Sequence, residues 1–268
     1  MPSAPFFLMT GIKVMKETIN TLSSMRAPFN RVKKTVGIML IGTFIIFGNY
    51  SVASTQSLNT PVKISAPDNK AIFSQALADY FANRNNEAKI GYDRLKNTDY
   101  AAFSAVPIAM NLVALGQYSQ AKKAFAELKR SENQRDKEYA QLWELWLTAK
   151  QWKGSDKDLK KELNRLVNAQ IWHLPFEKSI AGLYAGRETV ESVFDAVSAF
   201  NADAAQHQDA LTEAIFFAGG YLQNVKHDNA AARQLFNDNL NKLNSVSLER
   251  PFIDRECAAL NKLASQSK

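Results

Sequence analysis

The sequence predicts an all-α fold made of antiparallel helical hairpins stacked one on another. Residues 109–125 contain two helical patterns separated by Gly116, a residue that readily ends a helix with a positive φ. Similar residues recur 33 positions apart, a period typical of helical arrays. Of 268 residues 46% are hydrophobic, and the low content of 11 Gly and 8 Pro favours long helices around a sizeable core.

Residues 1–53 have the pattern of an export leader. Basic residues precede an apolar run over residues 36–48, and residues 51–53 form a small-x-small cleavage site. Because a membrane-spanning helix needs roughly 20 apolar residues, we expect a signal peptide that begins at Met25 and is cleaved after Ala53. The alternative is an uncleaved segment that anchors the protein in the inner membrane.

The positive charge of the chain lies mostly in this leader. The whole chain has a net charge of +7, but residues 1–53 hold six Lys or Arg and one acid, which leaves 27 basic and 25 acidic residues. A net charge of +2 gives no concentrated basic face, so we predict no nucleic-acid partner. Cys257 is the single cysteine, so the chain has no internal disulfide and no lipoprotein acylation site at the cleavage position.

The chain after the leader divides into a lead-in and one helical domain. Residues 54–67 are polar with two prolines and predict a flexible lead-in, and residues 68–264 form the repeat domain. Asp68 is suited to cap the first helix. The predicted elements of the first two hairpins are helix 69–82, turn 83–86, helix 87–96, and the pair of helices on either side of Gly116.

The later units are less regular. The predicted helices are 135–151 and 156–167 in the third unit and 175–185 and 188–200, around Gly186, in the fourth. A polar connection is expected over residues 201–208 before the fifth unit. A closing helix from residue 248 or 249 to 263 would cover the last apolar face, as terminal units require.

The small and aromatic residues of these units resemble tetratricopeptide repeats (TPR). The matching structural positions are Ala88, Tyr92, Ala109, Gly116, Tyr118, Ala121, Phe125, Gly220, Ala232 and Phe236. Two units depart from the pattern, since Asn83 and His227 replace the glycine of the turn. The resemblance covers residues 69–243 unevenly and implies a right-handed superhelix, an α-solenoid.

A narrower resemblance concerns the order and spacing of four segments. They are residues 142–147, 172–176, 183–186 and 212–236. They are similar to the periplasmic TPR lipoproteins of the NlpI type, homodimeric adaptors that bring cell-wall hydrolases to a tail-specific protease. This chain lacks their acylated cysteine, so the resemblance implies a soluble periplasmic form or a protein with another partner.

No pattern in the chain predicts chemistry. Nucleophile-elbow and phosphate-loop motifs are absent from the sequence. His173, His207 and His227 are far apart, and His173 with Glu177 lacks the further ligands that a metal needs. We therefore predict a non-enzymatic protein with no catalytic residue, no cofactor and no metal.

The predicted binding surface is the concave face of the superhelix, which the first helix of each hairpin lines. By repeat position it comprises Phe73, Leu77, Tyr80, Val106, Met110, Val113, Glu144, Leu147, Phe217, Tyr221 and Asn224. Its aromatic and methionine side chains suit an extended or helical peptide segment of an envelope protein. The alternative is that most of these side chains pack against neighbouring helices.

Three functions follow as hypotheses. The first is a periplasmic adaptor that links envelope proteins to a protease or to the cell-wall machinery, without a stable membrane anchor once the leader is cleaved. The resemblance to homodimeric adaptors also allows a homodimer. The second is an accessory chaperone or scaffold of a surface organelle or secretion system, and the third is a cell-wall-active enzyme.

Overall fold

The computed structural model describes residues 68–266, a region with eleven α-helices and no strand. The helices are α1 (Asn69–Phe81), α2 (Asn85–Asp93), α3 (Ala101–Ala114), α4 (Tyr118–Leu128), α5 (Gln134–Gln151), α6 (Asp156–Asn168), α7 (Pro175–Tyr184), α8 (Val190–Ser198), α9 (Ala204–Asn224), α10 (Asn229–Asn239) and α11 (Arg250–Gln266). The all-α prediction is confirmed for this region. The predicted leader and lead-in, residues 1–67, lie outside the described residues. None of the described helices is long and apolar enough to span a bilayer.

Consecutive helices pack against each other along the whole described region. The first five pairs are α1 with α2, α3 with α4, α5 with α6, α7 with α8, and α9 with α10, and α11 packs on α10. Four of these pairs share the same turn conformation. The turn residues and their φ angles are Asn83 at 58°, Gly116 at 70°, Gly186 at 70° and His227 at 55°.

The start of α9 differs from the prediction. The polar connection predicted over residues 201–208 is wrong, because α9 begins at Ala204. The Asp203 carboxylate accepts hydrogen bonds from the backbone N–H groups of Ala205 and Gln206, at 2.9 and 2.8 Å. The side chain of Gln206 accepts from the Asp203 N–H at 3.2 Å in return. This capping box satisfies N–H groups that would otherwise lack partners, and it fixes the helix start within a polar sequence.

The residues at the TPR-like positions lie mainly inside the protein. Those that are at most 1% exposed are Ala88, Tyr92, Ala109, Ala121, Phe125, Ala232 and Phe236. Tyr118 is half-buried and packs against the core. Gly220 is buried where α9 approaches α5, and a Cβ there would overlap the indole of Trp146. Small residues at these positions therefore allow close helix packing.

The centre of the core is the fully buried indole of Trp143 on α5. The ring of Phe125 stacks on it, with centroids 5.4 Å apart and planes 7° from parallel. Phe216 of α9 lies 4.9 Å away and Phe252 of α11 lies 5.3 Å away, between ring centroids. Helices α5 and α9 are thus in direct contact. Aromatic rings fill the space between the first helices of the third and fifth hairpins.

Candidate functional site

Most of the residues predicted to bind a partner are buried. Eight are at most 9% exposed: Phe73, Leu77, Tyr80, Val106, Met110, Val113, Leu147 and Phe217. Three are half-buried: Glu144, Tyr221 and Asn224. The first eight pack against neighbouring helices, which is the alternative that the sequence leaves open. They do not offer a surface to a partner in this conformation.

The chain's own C-terminal part accounts for much of this burial. We call residues 244–253, the connection to α11 with its first turn, the closing segment. The Tyr80 hydroxyl of α1 donates a hydrogen bond of 2.6 Å to the carbonyl of Leu248. The ring of Phe252 lies 6.5 Å from that of Tyr80 and 5.6 Å from that of Phe216. The closing segment therefore occupies space on the side where a partner peptide was predicted to bind.

The three half-buried residues do not form one surface. Tyr221 packs edge-on against Tyr184, with centroids 5.7 Å apart. Asn224 lies on the same last turn of α9 and donates to the Gly220 carbonyl at 2.8 Å. Glu144 of α5 instead forms an ion pair of 2.7 Å with Lys129, next to α4. The structure brings Tyr221 and Asn224 together and leaves Glu144 elsewhere.

A cluster of buried charges lies beside the closing segment. Arg135, in the first turn of α5, donates to Glu177 of α7 and, at 2.5 Å, to Glu213 of α9. The side chains of Glu177 and Glu213 are 0% and 5% exposed, and that of Arg135 is 25% exposed. The other carboxylate oxygen of each acid, Oε2 of Glu177 and Oε1 of Glu213, has no hydrogen-bond partner. When both acids are ionised, the single guanidinium leaves an excess of one negative charge. Burial makes that excess charge costly.

Glu249 of the closing segment is a further buried acid, and its charge acts on Glu213. It is buried and accepts hydrogen bonds from the hydroxyls of Tyr139 and Ser247. Burial is the main reason that the pKa of Glu213 rises from 4.5 to about 7. The positive charge of Arg135 opposes this rise, while the negative charges of Glu249 and Asp209 reinforce it. Glu213 therefore changes its charge near neutral pH.

A raised pKa is also typical of a general acid in an enzyme, but the position of Glu213 does not suit that role. The residue is 3% exposed, and Arg135 holds one of its oxygens. A general acid must come within hydrogen-bond reach of its substrate. The chemistry that this arrangement supports is uptake and release of a proton.

The histidine and glutamate considered as a metal pair have separate partners. Glu138 of α5 accepts from the backbone N–H of His173 at 3.0 Å, from that of Leu174 at 3.3 Å, and contacts the His173 ring at 2.7 Å. Glu177, in contrast, pairs with Arg135. Within residues 68–266, no group of three or more His, Cys, Asp or Glu side chains is arranged to hold a metal.

The buried acids are not among the predicted site residues, because carboxylates are numerous on helices and the sequence alone cannot pair two of them across the fold. A signal for Glu213 was nevertheless present. Phe216 and Phe217 follow it by three and four residues, so they share its helix face. A charged residue within an apolar stripe is rarely buried without a partner. Its partner Arg135 is 78 residues away, and no local pattern connects the two.

A scan against protein-family models finds no match for this chain, and a search of curated proteins finds none either.

Proposed function

We propose that the chain is a non-enzymatic periplasmic adaptor with a TPR-like right-handed superhelix. In this role it binds protein partners and links envelope proteins to a protease or to the cell-wall machinery. One observation carries the proposal: turns of the same conformation recur between hairpins whose small and aromatic positions are buried. Asn83 and His227, which replace the glycine of the pattern, have nearly the same φ as Gly116. This likeness supports the equivalence of the hairpins, and such arrays commonly serve as binding scaffolds.

The burial of the predicted concave face limits where a partner can bind in this conformation. Tyr221 and Asn224 are half-buried at the end of α9 and so offer partial access. Tyrosine is enriched among the residues that dominate binding energy. We therefore place the first contact of a partner peptide at this end of α9.

Site-specific photocrosslinking in cells tests the proposal. A photoreactive residue at position 221 or 224 should capture the same envelope protein, whereas one at the exposed Lys160 of α6 serves as the control. Capture of a protease or cell-wall hydrolase would support the adaptor hypothesis. Capture of a surface-organelle subunit would support the chaperone or scaffold hypothesis instead. Equal capture from all three positions, or none, would argue against a binding site here.

The periplasmic location has its own test. N-terminal sequencing of the protein recovered from the periplasmic fraction should begin at Ser54. A chain recovered with the membrane and retaining residues 36–48 would instead support the uncleaved anchor. The enzyme hypothesis has a third test. If the purified protein acts on peptidoglycan and loses this activity on substitution of a single acid, the enzyme hypothesis is favoured over the adaptor hypothesis.

A further inference from the structure

We propose that a small cavity between the first two hairpins binds a primary carboxamide, such as the side-chain amide of glutamine, in a ligand that also carries a carboxylate a few bonds away. The cavity has a volume of about 50 Å³ and lies among α2, α3 and α4. Tyr92 and Asn111 line it on the inside, and Lys89, Lys96 and Gln120 line it on the outside. We call it the hairpin cavity. It is formed by other helices than the end of α9, and its existence does not depend on the proposed adaptor function.

Two buried side chains at the floor of the hairpin cavity carry polar atoms without a partner. Tyr92 of α2 and Asn111 of α3 are each 1% exposed. The Tyr92 hydroxyl and the side-chain oxygen Oδ1 of Asn111 form no hydrogen bond within residues 68–266. Native proteins pair nearly all buried polar atoms, because an unpaired one destabilises the fold. Two such atoms at one cavity therefore indicate a ligand group that pairs with both.

The hydrogen bonding around the floor fixes the role of each of these atoms. The side-chain nitrogen Nδ2 of Asn111 donates to the backbone carbonyl of Asn85 at 2.9 Å. A carbonyl can only accept, so the amide cannot be turned around and Oδ1 remains the unpaired atom. Burial raises the pKa of Tyr92 far above its ordinary value of 10, so its hydroxyl stays protonated and can donate. The floor thus offers one donor and one acceptor.

A primary carboxamide is complementary to this floor. Its oxygen can accept from the Tyr92 hydroxyl while its NH₂ group donates to Oδ1 of Asn111, whereas a carboxylate has no hydrogen to donate there. The volume of about 50 Å³ exceeds the roughly 30 Å³ that one water molecule occupies in the liquid. Room therefore remains for a methylene group beside the amide. Ile108 and Leu112, which also line the cavity, supply the apolar contact for it.

The mouth of the hairpin cavity carries a net positive charge. Lys89 and Lys96 both pair with Asp93, at 2.6 and 2.7 Å, so one carboxylate lies between two ammonium groups. The side chains of the two lysines are 34% and 54% exposed, and each ammonium keeps further donors for a ligand at the mouth. They suit a carboxylate a few bonds from the amide. Free glutamine has this chemistry, and so does an acidic peptide that contains glutamine.

The floor can be reached without the movement of a helix. Gln120 and Lys96 are exposed, and Lys89 is partly exposed. Long side chains at a protein surface change rotamer within nanoseconds. A ligand therefore needs to displace only these side chains to reach Tyr92 and Asn111.

Titration of the ¹⁵N-labelled full chain, followed by NMR, tests the site. The signals observed are the side-chain amide of Asn111 and the backbone amides of α2 and α3. The probes are free L-glutamine and a glutamine–glutamate dipeptide with acetyl and N-methylamide ends. L-glutamate and the equally blocked glutamate–glutamate dipeptide are the matched probes without a carboxamide. The variants are Tyr92→Phe and Lys96→Gln, and Tyr118→Phe, which removes a hydroxyl outside the cavity, is the control.

We expect at least one glutamine probe to shift these signals and its glutamate counterpart to bind at least about 10-fold more weakly. Tyr92→Phe should weaken binding by about 10-fold without lowering the melting temperature, because the hydroxyl that it removes has no partner in the fold. Lys96→Gln should weaken binding and reduce its dependence on salt. Tyr118→Phe should bind as the wild type does. Binding of the free amino acid alone assigns a small-molecule site, and binding of the dipeptide alone assigns a peptide site.

Three results would overturn the proposal. The first is that no probe shifts the signals, and the second is that the glutamine and glutamate probes bind equally well. The third is that Tyr92→Phe lowers the melting temperature and leaves binding unchanged, which would indicate that internal water pairs with the hydroxyl. Should Tyr92→Phe fail to fold, the comparison of glutamine with glutamate probes in the wild type still decides. Loss of the proposed contact at the end of α9 would not affect any of these measurements.

Discussion

At the scale of single residues, the turn positions show how backbone conformation selects the side chain. Gly116 has a φ of 70°, and a Cβ added there would meet no atom within 4 Å. The cost of a side chain at this position is therefore one of backbone conformation alone. His227 has the same kind of φ, at 55°, although it carries a side chain. The same backbone conformation can therefore be tested twice, by adding a side chain at Gly116 and by removing one at His227.

We predict opposite signs for Gly116→Ala and His227→Gly. The alanine should lower the free energy of unfolding by about 1 kcal/mol, because an L-residue in this conformation costs more than it saves in unfolded-state entropy. The glycine should raise it by up to about 1 kcal/mol for the same reason. Urea denaturation measures both. The contact between His227 and Asp156 is too exposed for its loss to reverse the stability gain expected for His227→Gly. Stability changes of the same sign in the two variants would contradict the claim that the positive φ disfavours a side chain at these turns.

Glu213 makes overall stability depend on pH. Its pKa in the folded protein is about 7, above its ordinary value of 4.5. Below pH 4.5 it is protonated in both the folded and the unfolded state, so its stabilising effect is complete. Between pH 4.5 and about 7 the unfolded chain releases the proton first, and the free energy of unfolding falls.

We therefore expect Glu213→Gln to flatten the decline in stability between pH 5 and pH 8. The loss attributable to this residue in the wild type is at most about 3 kcal/mol, the free-energy equivalent of its pKa shift. Denaturation by urea across this pH range measures it. A wild type that becomes more stable towards pH 8, with the variant following the same course, would refute the prediction.

At the scale of elements, α7 depends on a cap supplied by another helix. Its N-cap residue, Leu174, has no side-chain hydrogen bond to the helix. The Glu138 carboxylate of α5 accepts instead from the N–H groups of His173 and Leu174. Pro175 is well suited to the first position because it lacks an N–H group. The cap therefore also fixes α7 against α5.

Glu138→Ala should destabilise the protein by about 3 kcal/mol, because it leaves charge-assisted hydrogen bonds unmade in a buried place. Asp203→Ala, which removes the local cap of α9, should cost about 1 kcal/mol. Urea denaturation compares the two, and hydrogen exchange should show that α7 loses protection first in Glu138→Ala. Equal losses of stability in the two variants would indicate that Glu138 only caps α7 and does not also hold it against α5.

Local patterns in the sequence account for most of the helices but not for their ends. Gly116 marks its turn because the required φ is specific to few residues. The start of α9 was misplaced, although Asp203 and Gln206 carry the spacing of a capping box. Their polar neighbours were interpreted as a connection. The cap of α7 could not be predicted, since Glu138 is 35 residues away from His173.

At the scale of the whole molecule, the first and last elements meet. Tyr80 and Leu248 are 168 residues apart in sequence and share a hydrogen bond. Such a contact depends on the angles at which successive hairpins pack, and no repeat signature specifies these angles. The repeat positions placed Tyr80 and Phe217 on the concave binding face, but the sequence could not show that other parts of the chain would cover them. That is why the predicted binding residues and the buried core largely coincide.

This closure distinguishes the molecule from an open array, in which each repeat contacts only its neighbours. In a closed molecule, a substitution that disrupts the packing of α11 should also destabilise α1. Phe252→Ala should cost about 3 to 5 kcal/mol, because its ring fills a space among large side chains. Ile90→Ala, at a side chain that is 65% exposed, should change stability by less than about 0.5 kcal/mol and is the control.

Hydrogen exchange of α1 in Phe252→Ala tests the closure most directly. We expect the amides of α1 to lose protection together with those of α11 and ahead of those of α7, because the closing segment contacts α1 through Tyr80. A loss confined to α10 and α11, with α1 unchanged, would contradict the account and would indicate an open array whose two ends are independent.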